Sequence, residues 1–377
     1  MFNNIVATRN LFVNTDNTLV GDCRDTTLNL PQGLLECNEN QNMRLTLNSF
    51  AMRHCWYRLN QYNTTFYIVA KKKPTFQGIE EVISARVKIK NGNYDSFTGL
   101  AGKINEENGI LNVLTDALKF QPFNIVDPDV DVKYDLVTNL YKIKINTAAT
   151  GVDSPFLDVK FVTFTIPNYN SSSGSLIQKI LGRRSTDAFS STFEVLGGCY
   201  EKRNMLTGTD AEQFDQLVSM FSVSKDDPGT NMFTMNGHYN ASLMIEENIY
   251  LRTNLQSSSF QTSGFDTGSE IFPNIIPSQI LAKIPLNNPT FAFTKGSTLA
   301  DPSLVTDYVY QRPYELINFR DNGNNMYSQL LQSTHISQLR LFITDSYGRL
   351  IPEISPEQIK CNGMSFTASL RIDVFQE

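Results

Sequence analysis

The chain is 377 residues long, with 41% hydrophobic, 11% aromatic and 19% charged residues, enough apolar side chain for one large core or two ordinary ones without covalent staples. Its 32 basic and 38 acidic residues give a net charge of -6, the opposite of the basic surface that neutralises phosphate, so direct duplex binding is not expected. No stretch approaches the roughly 18 consecutive apolar residues of a membrane helix. Residues 1–20 interrupt their apolar positions with Asn, Asp, Arg and Thr before a signal-peptide core can form, so a soluble protein without a cleaved signal is expected.

Taken in chain order, the regular segments are dominated by period-two alternation, the mark of a strand with one wet and one buried face. Met43 to Leu47 is the first such segment. Phe66 to Ala70 is a continuous apolar run of strand length, followed by Lys71-Lys72-Lys73-Pro74, read as a solvated strand end that blocks edge pairing. In Ala85 to Lys90 the apolar Val87 and Ile89 alternate with Arg86, Lys88 and Lys90; after the Asn91-Gly92-Asn93 turn signal, Asp95 to Asn105 has helical spacing weakened by Gly99 and Gly102. Tyr141 to Ile145 and Val162 to Ile166 again alternate.

The stretches Thr147 to Ser154, Asn168 to Ser175, Gly182 to Ser191 and Leu255 to Ser269 are rich in Ser, Thr, Asn or Gly and read as loops or insertions. Thr209 to Phe221 predicts a helix: Thr209 and Glu212 have capping-box spacing, and Phe214, Leu217, Val218 and Phe221 form one stripe. Ile280 to Pro285, Leu339 to Ile343 and Leu370 to Val374 complete the strands, the last with Leu370, Ile372 and Val374 on one face and Arg371 and Asp373 on the other. Turn signals between strands, such as Tyr347-Gly348, suit antiparallel sheets rather than βαβ units.

Residues that carry chemistry are sparse. Three histidines, His54, His238 and His335, are scattered, and His54 and Cys55 as strand neighbours point to opposite faces, so no His-based nucleophile apparatus is expected. The five cysteines, Cys23, Cys37, Cys55, Cys199 and Cys361, form no CxxC pair and read as free thiols. Asp127, Asp129 and Asp131 begin like a calcium loop, but Val132 stands where Gly is needed and Thr138 where the bidentate Glu is needed. Gly99-Leu-Ala-Gly102-Lys103 is too short for a phosphate loop, and sequons at Asn63, Asn170 and Asn240 are chance matches without a secretory route. No catalytic, cofactor-binding or metal residues are expected, and the chain reads as a non-enzyme.

A set of elements spread from about Leu45 to Val374 resembles one family. Leu45 to Asn60 contains a strand ending in Trp56-Tyr57 with Asn60 close behind; Val87 to Tyr94 holds a strand and a Gly92-Asn93-Tyr94 turn; Ile180-Leu181-Gly182 is a leucine-glycine element. Ile280 to Pro285, Leu339 to Leu350 with Asp345 and Gly348, and Phe366 to Val374 follow in the same order. The set is similar to the jelly-roll minor capsid and penton-type proteins of large icosahedral DNA viruses, virophages and polinton-like elements, though Arg58 and Leu59 separate Tyr57 from Asn60 here.

That resemblance implies an all-β fold with a few short helices, an elaborated antiparallel jelly-roll β-sandwich over 1–377 with an irregular insertion near 168–240. The alternative is two tandem jelly rolls, 1–167 and 176–377. It implies a virion protein, a minor capsid protein that binds the major capsid protein, other minor capsid proteins and, as a homo-oligomer, itself, with no nucleic acid, cofactor or membrane span. A penton and a carbohydrate-binding β-sandwich of a spike or fibre are the alternatives.

Overall fold

In the computed structural model the alternating segments fold as antiparallel strands, and their registers divide the chain in a way that linear order conceals. The structure describes residues 5–17, 23–57, 59–74, 80–92, 130–135, 140–147, 155–162, 196–198, 208–225, 232–239, 248–255, 260–262, 275–277, 279–286, 292–294, 307–309, 316–321, 327–331, 333–346, 348–352 and 364–376, with Gly78 and Thr138. The strands open with β1 (Ile5–Asn14), β2 (Asp25–Asn29) and β3 (Gln41–Arg53). Next come β4 (Thr65–Lys72), β5 (Val82–Lys88), β6 (Val130–Asp135), β7 (Leu140–Asn146), β8 (Phe156–Val162), the helix α1 (Asp210–Gln216), β9 (Ser222–Lys225) and β10 (Met232–Asn236). The remainder holds β11 (Asn248–Thr253), β12 (Phe260–Thr262), β13 (Ile275–Pro277), β14 (Ile280–Pro285), β15 (Ala292–Thr294), β16 (Asp307–Val309), β17 (Leu316–Arg320), β18 (Ser328–Leu331), β19 (Gln338–Thr344) and β20 (Phe366–Gln376).

Two compact units result: residues 1–56, 246–289 and 311–377 form the first, and residues 57–245 with 290–310 the second. The inserted segment 57–245 contains the range 168–240 and begins far ahead of it. Much of 168–240, the predicted helix Asp95 to Asn105, the strand residues 163–166, Asp127, Asp129, Gly99 to Lys103, Asn170, Ile180 to Gly182, Cys199, Asn240 and Cys361 lie outside the described residues.

In the first unit one sheet runs β1-β20-β3-β17, with β18 also on β3, and the other runs β14-β11-β19-β2. β17 and β18 pair with opposite ends of β3 and so fill one position. The chain visits the sheets in the order first, second, first, second twice, first, second, first, which is the strand path of a jelly roll: two Greek keys in which early strands pair with late ones. The sequence dictates a detail of this packing. Buried Leu45 and Leu47 are followed by buried Phe50 and Met52, a one-residue slip of phase, and β20 meets it with a register shift between Ser369 and Leu370. Leu45, Leu47, Leu370 and Ile372 of one sheet and Ile249, Leu251, Leu339 and Leu341 of the other, none more than 1% exposed, belong to one core.

The second unit has its own sandwich, β5-β4-β8 and β6-β7-β10-β9, around Phe66, Ile68, Tyr141, Ile143, Phe161 and Met235. The continuous apolar run in β4 has its explanation here. β4 is the central strand of its sheet, and Tyr67 and Val69 on the opposite face are buried as well. The reading of Lys71 to Lys73 as an edge guard is therefore corrected: Lys71 pairs with Glu80 at 2.8 Å and Lys72 with Glu81 at 2.8 Å.

Helix α1 begins as its capping box requires. The Thr209 hydroxyl accepts from the Glu212 N–H, and the Glu212 carboxylate accepts from the Thr209 N–H at 2.6 Å. Gly208 precedes it at φ +93°, where any Cβ would collide with the Glu212 carboxylate. The helix stops at Gln216 rather than running to Phe221, because Lys160 on β8 donates to the carbonyls of Phe214 at 2.8 Å and Leu217 at 2.9 Å and sits 4.5 Å from the Phe214 ring centre. Thr209→Ala should cost about 1 kcal/mol, a fall of about 2–4 °C in the thermal midpoint of a unit this size, measured by calorimetry.

Candidate functional site

The residues singled out for chemistry each have separate surroundings. His54 is buried, with its ring 4.2 Å from that of Trp56 in an edge-on contact. His335 is exposed, its Nδ1 3.6 Å from Glu36, and His238 is exposed in the second unit. Asp131 pairs with Lys133 at 2.8 Å, two residues along the same strand face. Among the described residues no cluster of His, Cys, Asp and Glu could hold a metal ion, and no helix is long and apolar enough to cross a membrane. Asn63 is buried and accepts from the Asn60 N–H at 2.7 Å, so its sequon is closed to glycan attachment.

Cys23, Cys37 and Cys55 are free thiols. Cys55 lies against the Met364 sulfur at 3.0 Å, and burial pushes its thiol up to about 12. Cys55 should therefore resist alkylation by iodoacetamide at pH 8 in the folded protein and react only after denaturation, as peptide mass spectrometry would read out. Labelling of native Cys55 at the rate of a free peptide thiol would show that its surroundings open.

The motifs behind the family resemblance fall at structural joints. Trp56 is buried as the last residue of the first unit's opening segment, and Tyr57 starts the second unit. Asn60 holds the turn that follows: its side chain donates to the Tyr57 carbonyl at 3.0 Å and accepts from the Tyr62 N–H at 2.9 Å, while its carbonyl accepts from Thr64. Gly92 closes a backbone bridge to Leu59. At the other end of the first unit, Asp345 and Gly348 form the turn after β19. Gly348 has φ +81°, its N–H donates to the Asp345 carbonyl, and the Asp345 carboxylate accepts from the Arg349 N–H at 2.9 Å and from its Nε at 2.6 Å. Buried Arg252 of β11 donates to the Thr344 hydroxyl at 2.8 Å; desolvation lowers its pKa and the Asp345 charge partly opposes that.

Among the described residues the most buried carboxylate lies on the face that alternation turns away from the core. Asp373 on β20 shares the outer face of its sheet with Arg371, as the alternation places it, yet is 1% exposed. It accepts from Thr8 on β1 at 3.0 Å, from Arg44 on β3 at 3.1 Å and from Arg371 at 3.2 Å, so a single group ties three neighbouring strands. What these arrangements do chemically is tie segments of this one chain together.

No protein-family model matches this chain, and no curated protein does so. Among solved structures, the crystal structure of the mavirus penton protein is similar at 11% identity, with 98% of this chain and 99% of that chain covered and a TM-score of 0.36. A chain of the Sputnik virophage structure from cryo-EM is similar at 12% identity, covering 97% and 98%, with a TM-score of 0.27. Both superpositions are loose, and the jelly-roll strand path stands on its own hydrogen-bond registers.

Proposed function

We propose that this chain is a structural protein in the shell of an icosahedral DNA virus. It occupies a minor position, binds major capsid capsomers and neighbouring minor capsid proteins, and stabilises the particle without catalysis. The observation that carries this reading is the jelly-roll strand path of the first unit, closed by β20 between β1 and β3, with the sequence elements shared with capsid proteins at its joints. Such a module acts by shape and contact, so its polar constellations serve as ties. Among the described residues the exposed large aromatic side chains are Phe12 in the first unit and Tyr239 in the second.

Mass spectrometry of purified particles should detect the chain, and a cryo-EM map should locate it beside the major capsid protein. Absence from particles, or glycan binding on an array, would overturn the reading.

A further inference from the structure

β1 is the end strand of the first sheet, ten residues long and paired with β20, and among the described residues no strand lies on its other side. Such an edge is a template for another chain, and proteins blunt it with charge, proline, shortness or a cover. The other edges of the two sandwiches are blunted in these ways. β2, β9, β17 and β18 have five residues or fewer, β14 carries Lys283, β5 carries Arg86 and Lys88, and β6 carries Asp131 and Lys133. The edge of β8 is covered where Ser219 and Met220 bond the Phe161 backbone. β1 has none of these devices. It has no proline, and its one charged residue, Arg9, is drawn to the carbonyls of Leu34 at 3.0 Å and Glu36 at 2.9 Å. It leaves Ile5, Val6 and Phe12 54%, 52% and 78% exposed.

We infer that the open edge of β1 pairs with β1 of a second copy, antiparallel about a two-fold axis at Arg9. What points to a second copy is that the strand is its own complement. Counted outward from Arg9, Thr8 meets Asn10 of the other copy, Ala7 meets Leu11 and Val6 meets Phe12, so polar faces polar and apolar faces apolar at each step. The faces agree as well, since opposite residues of antiparallel strands point to the same side of the sheet. Thr8 and Asn10 share the outer face of Asp373 and Arg371, their partners on β20, while Ala7 and Leu11 pack against the core. Val6, at the register shift between Ile5 and Ala7, is exposed as Phe12 is. The contact is isologous, so it closes at two copies and is held by backbone hydrogen bonds at the edge, leaving the sheet faces free. The like charges of β1 that meet are the two Arg9 guanidiniums, each held back by its own carbonyls, so salt should tighten the pair rather than loosen it. The inference does not depend on the capsid reading.

Sedimentation velocity of the full chain over a range of concentrations, with hydrogen exchange of residues 5–14 read by mass spectrometry, tests this. The wild type should pass from monomer to dimer without larger species, exchange in 5–14 should slow as the dimer forms, and added salt should not dissociate it. N10K/F12K should weaken the dimer at least about tenfold, because four added ammonium groups gather along the paired edges. It should keep the wild-type thermal midpoint, since both side chains are exposed. F12K and V6E should each dimerise poorly alone and pair when mixed, because the register sets residue 12 of one copy against residue 6 of the other. A monomer at every concentration, a dimer that survives N10K/F12K, a dimer whose 5–14 amides exchange as in the monomer, or F12K and V6E that fail to pair would each overturn the inference. Protection of 5–14 only in purified particles, with the free chain monomeric, would assign the edge to a strand of another protein; it would overturn the second copy as occupant and leave the capsid reading standing.

Discussion

Deleting residues 364–377 should abolish folding of the jelly-roll unit. β20 is a central strand, paired along its length with β1 on one side and β3 on the other, so its loss orphans two ladders and opens the core. Leu370, Ile372 and Val374 are at most 2% exposed, and each contributes roughly 1.5–3 kcal/mol by leaving water. Their sum is comparable to the roughly 5–15 kcal/mol that stabilises a typical domain. Ile372→Asp should be nearly as damaging, because it places a charge among Leu45, Leu47 and Leu251 with no partner. Circular dichroism and calorimetry should show the loss of one cooperative transition in both variants. A truncated chain that keeps every transition would show that the sandwich does not close through β20.

Asp373→Asn should cost about 3 kcal/mol, a large effect for a substitution that preserves shape. The carboxylate is fully buried and its two guanidinium partners are largely so, at 30% and 27% side-chain exposure, so removing the negative charge leaves two cations facing each other. Arg371→Ser should be milder, since Arg44 and Thr8 still serve Asp373. The double variant R44M/D373N should cost less than the two single variants summed, because the second change removes a cation that the first has stranded. Equilibrium denaturation of the four variants measures this, and strictly additive costs would show that Arg44 and Asp373 do not couple.

The strands were legible in the sequence wherever one face is wet, as in Val82–Lys88 and Leu140–Asn146, because alternation reports burial directly. The antiparallel all-β class follows from the same pattern, whereas the jelly-roll sandwich was implied by the family resemblance. Other features depend on partners far away in sequence. Helix α1 ends where Lys160, some 54 residues upstream, takes its last carbonyls, and no local breaker marks that point. The passage between units at Trp56-Tyr57 has no Gly, Pro or Ser-rich linker: a buried Trp precedes it and an Asn-held turn follows it. Alternation places Asp373 away from the core, but its burial there depends on Arg44 and Thr8, far away in sequence. Its spacing from Arg371 was the one visible hint.

The pairing of β1 with β20 also sets the order of events on the ribosome. Thr8 must wait for Asp373, 365 residues later, and at about 5–20 residues per second that delay is roughly 20–70 s. During it β1, β2 and β3 have been synthesised while β19 and β20 have not, so their backbone edges and apolar faces remain available to other nascent chains. Strands β4 to β10, by contrast, find all their sheet partners within residues 57–245. Translation therefore delivers a finished second unit carried on an unfinished first one, and yield in heterologous expression should respond to lower temperature and holdase chaperones through the N-terminal strands.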